Sequence, residues 1–238
     1  MKLSENAEKL MELLTADGFK AYAVGGCVRD YLLGKTAGDI DITTSAKPQQ
    51  VEYILTNQGI KCIETGIKHG TVTAVLNGEQ YEITTFRKDG DYKDNRRPES
   101  VDFVTDIQDD LSRRDFTVNA MAYNAEDGIT DLFGGREDLK NGIIRAVGNA
   151  DSRFKEDALR IMRALRFSAV LGFSIEEITK KAIFENRNLL NKIAGERIFT
   201  ELTKLLMGDN ALQVLDEYRA VIGVIIPELK PAFSCEQN

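Results

Sequence analysis

The stretch KAYAVGGCVRDYLLGKTAGDIDITT, residues 20–44, decides the fold of this chain. Its first five residues are typical of a short strand, which runs into a turn at Gly25 and Gly26. The following residues have the spacing of a short helix that ends at Gly34. GDIDITT (38–44) alternates carboxylates with isoleucines and predicts a second strand. The stretch therefore predicts a strand, a glycine turn, a helix and a strand in close succession.

Asp39 and Asp41 are the first chemical feature of this stretch. Side chains alternate along a strand, so both carboxylates are expected on one face, with Ile40 and Ile42 on the other. The two charges repel one another unless a divalent cation lies between them, and Mg²⁺ binds such hard oxygen ligands. Taken alone, the pair would more often be a solvated strand end. Glu82, on a later predicted strand, offers either a third carboxylate or one half of a cross-strand ion pair.

The glycine turn is the second feature. Backbone N–H groups in a turn between a strand and a helix can bind phosphate, and the N-terminus of the helix adds its dipole. Arg29, one turn into the helix, can add a charge-assisted contact. Gly25 and Gly26 alone would usually be no more than a tight turn. Their position shortly before Asp39 favours a nucleotide site.

Outside this stretch the pattern changes from mixed to helical. The first part predicts helices at 4–14 and 48–56, and a hairpin of 71–76 with 80–86 around Asn77 and Gly78. From Asp115 the pattern becomes helical, with one strand-like stretch at 143–147. Beyond Gly148 it predicts helices only, at 154–171, 176–185, 196–207 and 211–218. We expect an α/β domain at 1–148, a helical segment at 149–207 and the start of a helical body at 208–238, cut before its end.

Composition limits the functional classes. The chain has 238 residues, with 31 Lys plus Arg and 38 Asp plus Glu, a net charge of −7 and a pI near 5.0. An acidic chain of this kind does not bind nucleic acid indiscriminately, although residues 153–166 are locally basic. The sequence has no apolar run long enough to span a membrane, and we expect no signal peptide. Three scattered cysteines predict neither disulfides nor a zinc site. We expect a cytoplasmic protein without a membrane partner.

Several motifs together resemble a known family. GGxxRD followed by DxD is similar to the nucleotidyltransferase signature of the DNA polymerase β superfamily. Four further segments follow in order: EITTFR (82–87), RRDFTVNAM (113–121), DLFGGREDL (131–139) and EDALRIMRALRF (156–167). With them the chain resembles the class II tRNA nucleotidyltransferases, or CCA-adding enzymes, whose close relatives are bacterial poly(A) polymerases. The resemblance extends from about Tyr22 to Leu206.

The resemblance implies a nucleotidyltransferase head with a small mixed sheet, followed by an all-helical neck and a partial body. It also implies roles for individual residues. The catalytic carboxylates would be Asp39 and Asp41, which hold the magnesium ions, with Glu82 as a third. The nucleotide would be bound by Gly26, Arg29, Arg114, Asp157, Arg160, Arg163 and Arg166, and its ribose and phosphate site would be shaped by Arg113, Asp115 and Asn119.

Asp157 and Arg160 can also be considered from chemistry alone. Three residues apart on a predicted helix, they are neighbours. A carboxylate only accepts hydrogen bonds and a guanidinium only donates them, so the pair complements an amino group beside a ring-nitrogen acceptor. Cytosine and adenine have that edge, whereas uracil and guanine have the inverse. The same spacing is equally that of an ordinary surface ion pair, and Arg163 and Arg166 could equally form a solvated basic face.

By resemblance, the function is template-independent addition of CMP and AMP to the 3′ end of tRNA. The substrates would be CTP and ATP, the cofactor Mg²⁺ and the by-product pyrophosphate. The alternatives are a poly(A) polymerase, an enzyme that adds only CC or only A, and a non-catalytic RNA-binding fragment. The polar segment 88–98 is predicted to be a loop that resembles the flexible loop needed for the terminal A.

Overall fold

The computed structural model describes residues 1–36, 38–90 and 100–234. The α-helices of these residues are α1 (Glu5–Ala16), α2 (Gly26–Leu32), α3 (Pro48–Asn57), α4 (Ile107–Ser112), α5 (Gly135–Asn141), α6 (Ala150–Glu156), α7 (Leu159–Leu171), α8 (Glu177–Asn186), α9 (Gly195–Leu206), α10 (Ala211–Glu217) and α11 (Arg219–Ile225). The strands are β1 (Ala21–Val24), β2 (Asp41–Thr44), β3 (Lys61–Gly66), β4 (Thr71–Leu76), β5 (Glu79–Thr85), β6 (Arg87–Asp89), β7 (Val101–Phe103), β8 (Met121–Asn124), β9 (Gly128–Asp131), β10 (Ile143–Ile144) and β11 (Ser174–Ile175). Within the described ranges, no helix has the length and apolar character needed to cross a membrane.

The chain divides into two compact units. The first comprises Met1–Gly90 and Ser100–Leu139, and the second contains the described residues from Lys140 onward. Strand β10 pairs in parallel with β11 of the same second unit. Because of this pairing, the second unit begins before Gly148, the position at which the sequence pattern changes from mixed to helical. The further division of the helical part into a neck and a body stays a prediction.

A seven-stranded mixed sheet forms the first unit, with the strand order β3-β4-β5-β2-β1-β8-β9. β2 and β5 pair in parallel, while the other neighbours in the sheet pair antiparallel. Helices α1 and α3 contact the strands of this sheet, and α1 buries Leu10 and Leu14 completely. The predicted α/β head with a mixed sheet is confirmed.

Local sequence signals account for several of these elements. The Ser4 hydroxyl caps α1 by accepting the backbone N–H of Ala7, which satisfies an otherwise unpaired donor. The predicted hairpin is confirmed as β4 and β5. At its turn Asn77 and Gly78 both have positive φ, 53° and 83°, as a type I′ turn requires.

The register of the sheet brings several loops to one place. β1 and β2 are antiparallel with Val24 opposite Asp41, so the end of β1 meets the start of β2. β2 and β5 are parallel with Ile42 beside Ile83, which sets Asp41 next to Glu82 one residue earlier on each strand. The glycine turn after β1 therefore lies beside the two carboxylate-bearing strands.

Three sequence predictions about local structure in the first unit are wrong. Asp39 is not on a strand, because β2 begins only at Asp41. The region after Asp115 is not helical throughout: before α5 it contributes β8 and β9, which are strands because β8 pairs with both β1 and β9. Lys88 and Asp89 are not in a loop, because β6 pairs with β7. The remainder of that predicted loop, from residue 91 to residue 98, lies outside the described residues.

The second unit is helical apart from the short β10–β11 pair. The predicted single helix at 154–171 is interrupted: α6 ends at Glu156 and α7 starts at Leu159. Asp157 between them has an extended backbone, with φ −135° and ψ 103°. Its carboxylate accepts the backbone N–H of Leu159 at 3.0 Å, a local bond that competes with helix continuation.

Tyr22 provides a buried polar link in the first unit. Its hydroxyl donates to Asp127 Oδ2 at 2.8 Å while its ring packs near Phe86 in the core. Burial, together with the hydrogen bond to Asp127 and the charge there, raises the pKa of Tyr22 to about 12. Since the folded-state value exceeds the ordinary value of 10.0, this link stabilises the fold fully below pH 10 and is lost as the pH rises through 12.

We predict that Tyr22→Phe lowers the free energy of unfolding by about 1 kcal/mol at pH 8, because Asp127 loses its donor. The difference between the two proteins should shrink as the pH rises from 10 to 12. Urea unfolding of both proteins across this range measures it. A difference that stays constant with pH would contradict the assignment.

Candidate active site

A cavity of about 270 Å³ lies where the strand ends of the first unit converge. Its charged lining residues are Asp41, Glu82, Arg87, Arg113 and Arg114. Carboxylates on the strands thus face guanidinium groups from the segments that follow β5 and α4. Such a cavity suits a ligand that carries anionic groups together with a cation.

The carboxylates of this cavity act on one another electrostatically. Loss of surrounding water, together with the negative charges of Glu82 and Asp39, raises the pKa of Asp41, and the guanidinium of Arg114 partly offsets this. Asp39 therefore lies within electrostatic reach of Asp41 although it precedes the strand. The structure brings the three predicted carboxylates into one neighbourhood.

This donor set fits the chemistry of Mg²⁺. Mg²⁺ takes oxygen ligands and commonly uses only one or two protein carboxylates, with water and substrate phosphates as the others. Among the described residues there is no group of three or more His, Cys, Asp or Glu side chains that could hold a metal ion. Burial and the charge of Glu82 raise the pKa of Asp41, so a bound cation would favour its ionised form.

The glycine turn lies beside the cavity, and the guanidinium of Arg114 lies close to it. Gly25 has φ +79°, and a Cβ built on it would lie 3.1 Å from Arg114 Nη1. Glycine adopts this backbone without strain, and a Cβ there would require the Arg114 guanidinium to shift by a few tenths of an ångström. Arg29, in α2 directly after the turn, donates to Asn119 Oδ1 at 2.7 Å, and Asn119 in turn donates to Asp115 Oδ1 at 3.2 Å.

Asp110 binds Arg113 and Arg114 of the cavity, and it was not among the residues predicted from the sequence. This fully buried aspartate of α4 accepts from Arg113 Nη2 at 2.6 Å and from Arg114 Nη2 at 3.3 Å. The signal was present, because DDLSRR places an aspartate three and four residues before two arginines, the spacing of neighbours on a helix. Arg87 was also missed; it donates to Asp89 and to the backbone carbonyl of His69.

In the second unit, Asp157 and Arg160 have different partners. Asp157 Oδ2 accepts from Arg197 Nη2 at 3.0 Å, whereas Arg160 Nη1 donates to Glu156 Oε2 at 2.8 Å. They are not two residues of one helix, as predicted, because Asp157 lies in the break before α7. The backbone N–H of Arg160 still bonds to the carbonyl of Asp157 at 3.0 Å, which keeps the two residues adjacent. Arg197 and Glu156 were not foreseen as their partners.

Arg163 and Arg166 converge on a buried glutamate. Arg166 Nε lies 3.1 Å and Arg163 Nη1 lies 3.8 Å from the carboxylate of Glu201 in α9. The Arg166 guanidinium also lies 4.2 Å from the centre of the Phe167 ring, a cation–π contact. Both side chains are therefore held in place, which does not match a freely solvated basic face.

Comparisons with known proteins agree with this geometry. Residues 21–145 match the family model described as the poly A polymerase head domain, which covers the sheet and the cavity. The chain belongs to the tRNA nucleotidyltransferase/poly(A) polymerase family. Residues 172–233 match a second model of this family, described as the probable RNA and SrmB-binding site of polymerase A.

Two CCA-adding enzymes are similar to the chain along most of its length. It is 48% identical to the CCA-adding enzyme of Oceanobacillus iheyensis over 95% of this chain and 55% of the relative. It is 52% identical to the CCA-adding enzyme of Geobacillus thermodenitrificans over 89% and 51%. The chain thus spans about half the length of the curated relatives it matches.

Solved structures of the family have the same fold. The Bacillus stearothermophilus CCA-adding enzyme in complex with CTP superposes with a TM-score of 0.82 and 46% identity, over 91% of this chain and 53% of that one. The Thermotoga maritima CCA-adding enzyme complexed with tRNA gives a TM-score of 0.77 and 30% identity, over 98% and 53%.

We predict that Gly25→Ala weakens binding of CTP, because its Cβ would displace the Arg114 guanidinium. Gly18→Ala is the matched control, since Gly18 has φ +85° but nothing within 4 Å of a built Cβ. Both variants should lose about 1 kcal/mol or more of unfolding free energy through backbone strain. Calorimetric titration with CTP and urea unfolding measure the two effects. Equal CTP affinity in the two variants would contradict the assignment.

Proposed function

We propose that this chain carries the catalytic and nucleotide-selecting part of an enzyme that adds CMP and AMP to the 3′ end of tRNA without a template. The observation that carries the proposal is the cavity in which Asp41 and Glu82 face Arg113 and Arg114. The 3′-hydroxyl of tRNA would attack the α-phosphate of CTP or ATP in line, and pyrophosphate would leave. The names of the relatives support tRNA as the acceptor.

Asp39 and Asp41 are the residues proposed to hold Mg²⁺, with Glu82 as a third carboxylate nearby. When bound, Mg²⁺ would supply positive charge at the attacking and leaving oxygens of the transferred phosphate. The carboxylates themselves fix the place of that charge on the sheet, because β2 and β5 are held by a parallel ladder.

The triphosphate is proposed to lie against the glycine turn and the arginines. The backbone N–H of Gly26, the first residue of α2, can donate to a phosphate oxygen. Arg29 and Arg114 add charge-assisted hydrogen bonds, which strengthen as negative charge moves to the leaving pyrophosphate. Asn119 and Asp115 keep Arg29 in orientation through the bonds described above.

The base is proposed to be selected by Asp157 and Arg160. A carboxylate has about four acceptor positions and a guanidinium five donors, so the bonds to Arg197 and Glu156 leave each group capacity for a base edge. The pair would accept from the amino group of cytosine or adenine and donate to the adjacent ring nitrogen. Arg163 and Arg166, held by Glu201, are proposed to contact the nucleotide as well.

The proposal is tested with a tRNA minihelix that lacks its CCA end, at saturating concentration, with Mg²⁺ and each labelled nucleoside triphosphate. Addition of two CMP followed by one AMP is the expected result. A long homopolymer from ATP alone would instead indicate a poly(A) polymerase. Products that stop after CC, or that receive only A, would indicate a partial-adding enzyme. Absence of any transfer would overturn the proposal for this chain.

We predict that Asp41→Asn abolishes nucleotide transfer, because the proposed Mg²⁺ site loses a charged ligand. Without Mg²⁺ its melting temperature should equal or exceed that of the parent, since repulsion among Asp39, Asp41 and Glu82 decreases. Asp17→Asn, at the exposed end of α1, is the control and should keep its transfer rate. Measured turnover in Asp41→Asn would exclude the role given to this carboxylate.

We predict that Asp157→Ala lowers discrimination against UTP and GTP by about tenfold or more, because a mismatched base edge no longer meets the Asp157 carboxylate. Asp151→Ala is the control; it removes a carboxylate of the same unit that pairs with Lys155. The ratio of kcat/KM for CTP to that for UTP measures the effect. Loss of affinity with unchanged discrimination would show that Asp157 does not select the base.

A further inference from the structure

We infer that Asp110 is a positioning residue that orients Arg113 and Arg114 toward the triphosphate. This inference rests on the proposed function, because it assigns these two arginines to a nucleoside triphosphate. Asp110 itself is fully buried and would not contact the substrate. It acts through the two guanidinium groups that line the cavity.

The geometry of the hydrogen bonds distinguishes Asp110 from a simple counter-charge. Arg113 donates to Oδ1 from both Nε, at 3.1 Å, and Nη2, at 2.6 Å. Arg114 donates to the other oxygen, Oδ2, from Nη2 at 3.3 Å. Each carboxylate oxygen therefore fixes one arginine, and the planar groups of both side chains lose rotational freedom before any ligand arrives.

Asp110 is itself fixed by the sheet. The Thr43 hydroxyl on β2 lies 3.3 Å from Oδ2 and shares its proton between Oδ2 and the Thr84 carbonyl at 3.1 Å, and the backbone N–H of Arg87 donates to Oδ1 at 3.4 Å. Thr43 is two residues from Asp41 on the same strand. The position of the arginines is thereby tied through Asp110 to the strand that bears the catalytic carboxylate.

In this orientation, Arg114 can donate to an anion at the glycine turn. With Nη2 on Asp110, Nη1 lies over the glycine turn, 3.1 Å from the position of a Cβ at Gly25. Its Nε is buried and has no hydrogen-bond acceptor among the described residues. A buried donor without an acceptor is unfavourable; a phosphate oxygen at the turn would accept from Nη1, not from this Nε.

The Asp110 carboxylate is present in its charged form. Burial alone would raise its pKa, but the guanidiniums of Arg113 and Arg114 and the hydrogen bonds from Arg113 and the Arg87 N–H lower the pKa below its ordinary value. A positioning role and a merely neutralising role then predict opposite results. If Asp110 only neutralised the arginines, removing its charge would tighten the binding of an anion.

Asp110→Asn provides the test, with inorganic tripolyphosphate and CTP as probes in calorimetric titrations. Asn keeps the shape of the side chain but accepts with one oxygen only. We expect the dissociation constants of both probes to rise about tenfold, in spite of the lost negative charge. In minihelix transfer, KM for CTP should rise more than kcat falls. Asp127→Asn is the matched control: it removes a carboxylate bound to Tyr22 in the same unit, and should leave both dissociation constants unchanged.

A double-mutant cycle with Arg114→Ala separates positioning from general structural damage. Asp110→Asn raises the dissociation constant for tripolyphosphate by a certain factor in the parent. In the Arg114→Ala background, the factor should be less than half as large. Equal fold-losses in the two backgrounds would overturn the inference, and so would an Asp110→Asn protein that binds tripolyphosphate as tightly as the parent.

If Asp110→Asn does not fold, Thr43→Val tests the same contact with the charge retained. It should raise the dissociation constant for tripolyphosphate about two- to threefold; an unchanged value would overturn the inference. The tripolyphosphate measurement does not depend on transfer to tRNA. A chain that shows the expected binding losses but adds no nucleotide would refute the proposed function and leave the role of Asp110 standing.

Discussion

The antiparallel pairing of β1 with β2 is the constraint on which the rest of the first unit depends. With Val24 opposite Asp41, the chain leaves β1 into its glycine turn at the edge where β2 begins. The parallel pairing of β2 with β5 then sets Glu82 beside Asp41. A shift of one residue in either register would reverse the faces of a strand and bury the carboxylates where Ile42 and Ile83 now lie.

Electrostatics sets the second requirement of this site. Burial, together with the negative charges of Glu82 and Asp39, raises the pKa of Asp41, and the guanidinium of Arg114 partly offsets this. Arg113 and Arg114 are bound by Asp110, which also contacts Thr43 of the sheet. Positive and negative groups thus remain separately available, as a site for a triphosphate with a cation requires.

In the second unit, too, neighbouring charged groups hold the side chains that are proposed to contact the nucleotide. The break at Asp157 frees its carboxylate from the helix surface, and the carboxylate is then fixed by Arg197 and by the N–H of Leu159. Arg160 is fixed by Glu156, and Arg163 and Arg166 by Glu201. Each proposed nucleotide contact is thereby supported by an acid or base that the nucleotide need not touch, which reduces the entropy lost on binding.

The sequence by itself determined the α/β class of the head, the hairpin at Asn77 and the candidate residues Asp41, Glu82, Arg114, Asp157 and Arg160. The class of the head, the hairpin and the carboxylates follow from local signals, because turn chemistry and alternation are properties of neighbouring residues. The role of Arg114 followed from the family resemblance alone. Only the tertiary structure decided the strand order, the strands β8 and β9, and the break at Asp157. It alone identified Asp110, Arg197 and Glu201 as supporting residues. Which acid meets which arginine depends on the pairing of strands and helices distant in sequence, and local patterns do not encode that pairing.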